Sequence, residues 1–137
     1  MERPVVGTGV IVRRGPKVLM GKNKGGVEDG KWGFPGGKVE GGEDPVADTA
    51  PRELDEETGV KAINYRRAPF WSNDLYPQAD KHFITLYIVC DWLEGEGEVK
   101  EPEKSYSWDW FDWPHGLPRQ LAYGIAELKM EVPIIGE

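Results

Sequence analysis

Three glutamates and an arginine stand together in Arg52-Glu53-Leu54-Asp55-Glu56-Glu57-Thr58-Gly59-Val60, behind the glycine-rich stretch Gly36-Gly37-Lys38-Val39-Glu40-Gly41-Gly42-Glu43. On a helix each residue advances about 100°, so Glu53, Glu56 and Glu57 share an arc of roughly 100°. Carboxylates held that close repel one another unless a cation lies between them. With no histidine or cysteine nearby, an all-oxygen cluster suits a hard divalent cation such as Mg2+. Arg52 lies four residues before Glu56 and can pair with it along one face, while Leu54 points off that face toward a core. Taken alone, the charge pattern is equally that of a solvated acidic helix face. The paired glycines weigh against this, because they let backbone approach a ligand or metal closely.

The elements that position these residues can be read on either side. Val5 to Val12 is rich in β-branched residues and reads as a strand, with a turn at Arg14-Gly15-Pro16-Lys17 and a hairpin partner over Lys17 to Lys22. Asn23 to Lys31 is a glycine-rich polar loop. Asp44-Pro45 has the form of an N-cap with proline at the first helical position, and Gly59 that of a left-handed C-cap. Ala62 to Trp71 and Lys81 to Trp92 read as extended, Gly95 to Ser105 as a charged loop, and Tyr106 to Trp113 as a further strand. Leu117 to Met130, with Leu121, Ile125 and Leu128 at helical spacing, predicts a second amphipathic helix. Hairpins without regular strand–helix alternation predict an α/β (α+β) sandwich, a mixed β-sheet packed between α-helices.

At 137 residues the chain reads as a single domain, 1–137, able to bury a core without disulfide or structural metal. Its net charge of -7 argues against a partner such as long nucleic acid, yet leaves room for a small phosphate-bearing ligand if metal supplies positive charge. The lone Cys90 falls inside an apolar run and reads as a buried thiol, which suits a reducing, cytoplasmic setting. The N-terminus lacks a signal-peptide pattern, and no apolar run approaches membrane-spanning length.

Residues 37–60 resemble the Nudix box, whose pattern is Gly, five residues, Glu, seven residues, then Arg-Glu-aliphatic-x-Glu-Glu-x-Gly-aliphatic. The flanks resemble the family too. Gly7 to Lys22 is similar to its first strands, Trp32-Gly33-Phe34-Pro35 to its entry into the box, and Glu101-Pro102-Glu103-Lys104 with Trp108 to Phe111 to a late loop and strand of the small MutT-like branch. The resemblance implies Mg2+ (with Mn2+ as a substitute) held by Glu53, Glu56 and Glu57 and by the carbonyl of Gly37, with Arg52 orienting Glu56. Glu103 is the candidate late-loop carboxylate, as a further metal ligand or as the base, with Glu56 the other candidate for the base. One departure stands out. Between Glu43 and Arg52 lie eight residues, Asp44 to Pro51, and Pro51 has no N–H to give a helix. Either the helix carries a one-residue bulge ending at Pro51, or it starts late, near Thr49 to Pro51. Both keep the glutamate arc and leave the register of Glu43 open.

The activity implied by the resemblance is hydrolysis of nucleoside triphosphates to the monophosphate and pyrophosphate, in nucleotide house-cleaning. The alternative is an ADP-ribose or nucleotide-sugar pyrophosphatase, whose relatives carry extra N-terminal structure. A non-catalytic nucleotide sensor is a third reading, disfavoured because the three glutamates are present. Lys22, Lys24, Lys38 and Lys81 could sit near phosphates, and Trp32, Phe34 and Trp71 near a base. Trp108 and Trp110 are expected to face the core or a second copy, and whether a homodimer forms is left open.

Overall fold

The computed structural model describes residues 1–122, 124 and 125. Strand β1, Val5–Arg14, turns tightly into β2, Lys17–Asn23. The two pair antiparallel only at their joined ends, Arg13 with Val18 and Arg14 with Lys17. Beyond that, β1 runs parallel to β5, Lys81–Glu94, in continuous register from Val5 with Phe83 to Arg13 with Asp91. The short β3, Trp32–Gly33, and β6, Ser105–Asp112, pair antiparallel with β2. On the far side β4, Lys61–Tyr76, lies antiparallel to β5, with register shifts at Ile63/Arg66 and Arg67/Trp71. This is a mixed sheet in the order β3-β2-β1-β5-β4, with β6 on β2.

Burial explains why β1 sits at the centre. Val10, Ile11 and Val12 are consecutive and all fully buried, so both faces of this strand are covered rather than one. Val10 and Val12 join Leu19, Leu54, Val60, Ile88 and Cys90 in a cluster beneath the helix. Ile11 joins Val18, Met20, Tyr87, Val89 and Ile125 on the opposite face. Trp108 and Trp110 pack against the first cluster, so of the two expectations for them the core is what the fold shows. Cys90 is buried as expected, and burial pushes its thiol up to about 12.

Helix α1, Ala50–Thr58, is preceded by a π-helical turn over Pro45–Thr49. Asp44 caps it, with Oδ1 accepting from the N–H groups of Val46 at 2.8 Å and Ala47 at 3.2 Å. The Thr49 N–H then reaches back five residues to the Asp44 carbonyl at 3.1 Å, and that of Ala50 to Pro45. These wide steps absorb the extra residue. They stop at Pro51, the residue with no N–H to leave unpaired. The helix ends at Gly59, in the left-handed region at φ 73°, with its N–H on the Asp55 carbonyl at 3.0 Å. The two readings of the insertion thus meet: a bulge comes first, and regular helix starts at Ala50.

The second expected helix does not begin at Leu117. Residues 117–122 form no helix, and Leu121 bridges to Trp32, whose N–H donates to the Gln120 carbonyl at 2.7 Å. Pro118 and this pairing to the sheet override the helical spacing. Ile125 is helical, and the remainder of the expected element, including Leu128 and Met130, lies outside the described residues. Among the described residues no helix is long and apolar enough to cross a membrane.

Candidate active site

Leu54 is fully buried and fixes the rotation of α1, which turns Glu53 and Glu57 toward the glycine loop. Glu57 Oε2 accepts the Gly36 N–H at 2.7 Å. Burial pushes the Glu57 carboxyl up to about 8, and the charges of Glu53 and Glu101 add to the rise while Lys104 opposes it. Glu53 is also raised, by burial first. Glu56 lies at the exposed rim, 3.2 Å from Arg52 Nη1. The loop can lie between β1 and α1 only because Gly36 and Gly37 lack side chains. A Cβ on Gly37 would lie 2.6 Å from Glu53 Oε2, and one on Gly36 would strike the Thr8 carbonyl.

Arg52 stands behind this face and holds three carboxylates. Its Nε and Nη2 grip Glu43 at 2.8 and 2.9 Å, Nη1 reaches Glu53 at 2.9 Å, and Nη2 also donates to the Lys38 carbonyl at 3.3 Å. The guanidinium holds the Glu43 carboxyl down to about 2, helped by the Glu40 N–H and the Thr49 hydroxyl. The register of Glu43, open in the sequence, is therefore intact across the insertion.

Arg52 and Gly36 engage the three glutamates, and among the described residues no three acidic, histidine or cysteine side chains form a ready-made metal cage. The donor chemistry nevertheless fits a hard cation: carboxylates on one helix face, Glu53 and Glu57 both pushed up by burial, against a loop that only glycine permits. The Gly37 carbonyl fits less well. It accepts from Thr8 twice, from N–H at 2.8 Å and Oγ1 at 3.1 Å, so its lone pairs are committed to β1.

A cleft of about 500 Å³ opens here, lined by Phe34, Gly36, Gly37, Lys38, Glu53 and Glu57. Phe83, Thr85 and Lys104 line it as well, and sequence reasoning assigned none of these three to the site. Phe83 and Thr85 arrive through the parallel β1–β5 pairing, which has no local signal. Lys104 closes the Glu-Pro-Glu-Lys segment, and its carbonyl is pinned by the Lys24 N–H at 2.9 Å. An adjoining hollow of about 360 Å³ holds Lys24, Lys81 and Lys104, so Lys81 flanks the cleft rather than lining it.

Three expectations need correction. Trp32 packs edge-on against Phe111 at 5.0 Å and joins the second core cluster, because β3 pairing turns it inward. Trp71 is 62% exposed on the outer strand β4, paired with Leu86 away from the cleft. Glu103 is exposed; neither it nor Glu101 lines the cleft, but Glu101 is less exposed and its carboxylate lies 3.8 Å from Nζ of the cleft-lining Lys104.

A mixed-sheet α/β domain with an acidic helix docked on a glycine loop defines a recognisable class. The NUDIX domain family model matches residues 3–129, and the chain belongs to that family. It is similar to a solved MutT NUDIX hydrolase from Burkholderia pseudomallei, at 29% identity and TM-score 0.86, covering 96% of this chain and 99% of that one. It is 30% identical over 117 residues to an ADP-ribose pyrophosphatase of Methanocaldococcus jannaschii, covering 85% of this chain and 66% of the relative. It is also 30% identical over 129 residues to a Myxococcus xanthus octanoyltransferase, of which it spans 34%.

Proposed function

We propose that this NUDIX protein is a divalent-metal-dependent pyrophosphohydrolase that cleaves nucleoside triphosphates to the monophosphate and pyrophosphate. The observation that carries this reading is the convergence of Glu53 and Glu57 with the Gly36–Gly37 loop and Lys104 on one cleft. Glu53, Glu56 and Glu57 would hold Mg2+, with Mn2+ as a substitute. Bound there, the metal would neutralise phosphate charge and acidify a water. Arg52 fixes Glu53 and Glu56 in place, and Lys104 and Lys38 offer charge to phosphate oxygens. Glu56, or Glu101 in place of Glu103, would take the proton from the attacking water. Phe34 and Phe83 give the cleft its apolar wall for a base.

Likeness to the MutT NUDIX hydrolase over nearly the whole of both chains supports the triphosphate reading. The Methanocaldococcus relative supports a second one, an ADP-ribose pyrophosphatase. A phosphate-release and chromatographic screen of nucleoside triphosphates, ADP-ribose and nucleotide sugars, with Mg2+ present or chelated, decides between them. Preferred cleavage of ADP-ribose would overturn the first reading, and no cleavage of any compound would overturn both.

A further inference from the structure

The hairpin end of β1 carries a side-chain stack that the hydrolytic chemistry does not use. The Arg14 guanidinium lies 4.0 Å from the centre of the Trp92 ring and 5.0 Å from that of Trp110, and its Nη1 donates to Glu96 Oε1 at 2.9 Å. Both indole N–H groups donate into the same loop, Trp92 to the Gly95 carbonyl at 2.8 Å and Trp110 to the Glu96 carbonyl at 2.9 Å. An exposed Arg–Glu pair is weak by itself, but a planar guanidinium held between two rings and a carboxylate has one orientation. The glycines beside Glu96 fit this closeness. Gly95 has φ 99°, and a Cβ there would lie 3.2 Å from Val60 Cα.

From this stack the chain runs along the C-terminal end of α1. The Glu98 N–H donates to the Thr58 carbonyl at 2.9 Å and that of Lys100 to Glu57 at 3.4 Å, while Lys100 Nζ donates to the Asp55 carbonyl at 3.1 Å. The next residue is Glu101, whose carbonyl accepts from the Lys104 N–H at 2.9 Å. The path from Arg14 thus runs along the end of α1 to Glu101, whose carboxylate lies 3.8 Å from Nζ of the cleft-lining Lys104.

We infer that Arg14 is a positioning residue for the hydrolytic centre, stacked between Trp92 and Trp110 so that the segment from Gly95 to Glu101 delivers Glu101 to Lys104 at the cleft. This rests on Glu101 acting at that centre. A shift of about 1 Å at a working group costs up to about a hundredfold in rate, so a remote brace has catalytic consequences.

The test measures kcat and KM for a nucleoside triphosphate with Mg2+ in wild type, Arg14→Ala, Glu101→Gln and the double variant, and amide hydrogen exchange at Glu98 and Lys100. Arg14→Ala should lower kcat about tenfold to a hundredfold with KM within about twofold, and should speed exchange at both amides. In the Glu101→Gln background the same change should cost less than about twofold, because the two act through one group. Glu96→Ala, at a more exposed position, should give a smaller loss of the same kind and serves if Arg14→Ala folds poorly. An Arg14→Ala kcat within twofold of wild type, or an equal loss in both backgrounds, overturns the inference while leaving Glu101 in place. Wild-type kcat in Glu101→Gln overturns the role of Glu101 and the inference with it. Should no triphosphate be cleaved by wild type, unchanged exchange in Arg14→Ala overturns the brace on its own.

Discussion

Arg52 grips Glu43 through two nitrogens, Nε to Oε2 at 2.8 Å and Nη2 to Oε1 at 2.9 Å, although the helix between them carries one residue more than the family pattern. The Glu43 carboxyl is held down to about 2, below its ordinary value near 4.5. A carboxyl depressed in the folded state contributes stability that is present above its unfolded value and lost as pH falls through its folded one. Glu43→Gln should therefore lower the denaturation midpoint at pH 7 and flatten its decline between about pH 4.5 and 2. Denaturant titrations at several pH values check this, and parallel curves for the two proteins would refute it.

Removing Ala47 and replacing Pro51 by isoleucine would convert the wide turn into regular helix. Residues after Pro51 keep their mutual spacing, so turnover should stay within about fivefold of wild type. A loss beyond about a hundredfold would mean that the π-helical turn itself positions Arg52.

Among the carboxylates, Glu56→Gln and Glu101→Gln should each lower kcat, by about a hundredfold or more for whichever is the base. Glu103→Gln should leave it within about twofold, because that side chain is exposed, whereas Glu56 pairs with Arg52 and Glu101 with the cleft-lining Lys104. Steady-state kinetics with circular dichroism as a folding control rank the three. A Glu103→Gln loss as large as the others would restore the expectation drawn from sequence.

Leu54 is fully buried against β1 and β5, so Leu54→Ala should cost about 2–5 kcal/mol of stability. Thermal or denaturant unfolding measures it. A cost under about 1 kcal/mol would show that the helix is not held by this anchor.

The acidic helix, its caps and its glycine loop were legible because each rests on local spacing: Asp44 and Gly59 at its ends, three glutamates on one arc. The longer strands were legible for the same reason, though β4 runs on to Tyr76 and β5 to Glu94, past the predicted ends, and the short β3 was not foreseen. What sequence missed depends on pairing between distant segments. Phe83 and Thr85 reach the cleft only through register with Val5 and Gly7, and Trp32 turns inward through its pairing with Lys22 on one side and Leu121 on the other. Glu101 and Glu103 have equal charge two residues apart, and only the folded loop shows that Glu101 is the one paired with the cleft-lining Lys104 while Glu103 is exposed.

The wide turn before Ala50 makes residue counting elastic on one side of Arg52 and rigid on the other. An added residue upstream is swallowed without rotating the helix beyond it, whereas one added between Arg52 and Glu57 would swing a carboxylate by about 100°. A rule for finding relatives of this chain should therefore tolerate one extra residue between Glu43 and Arg52, and none in the five that come after.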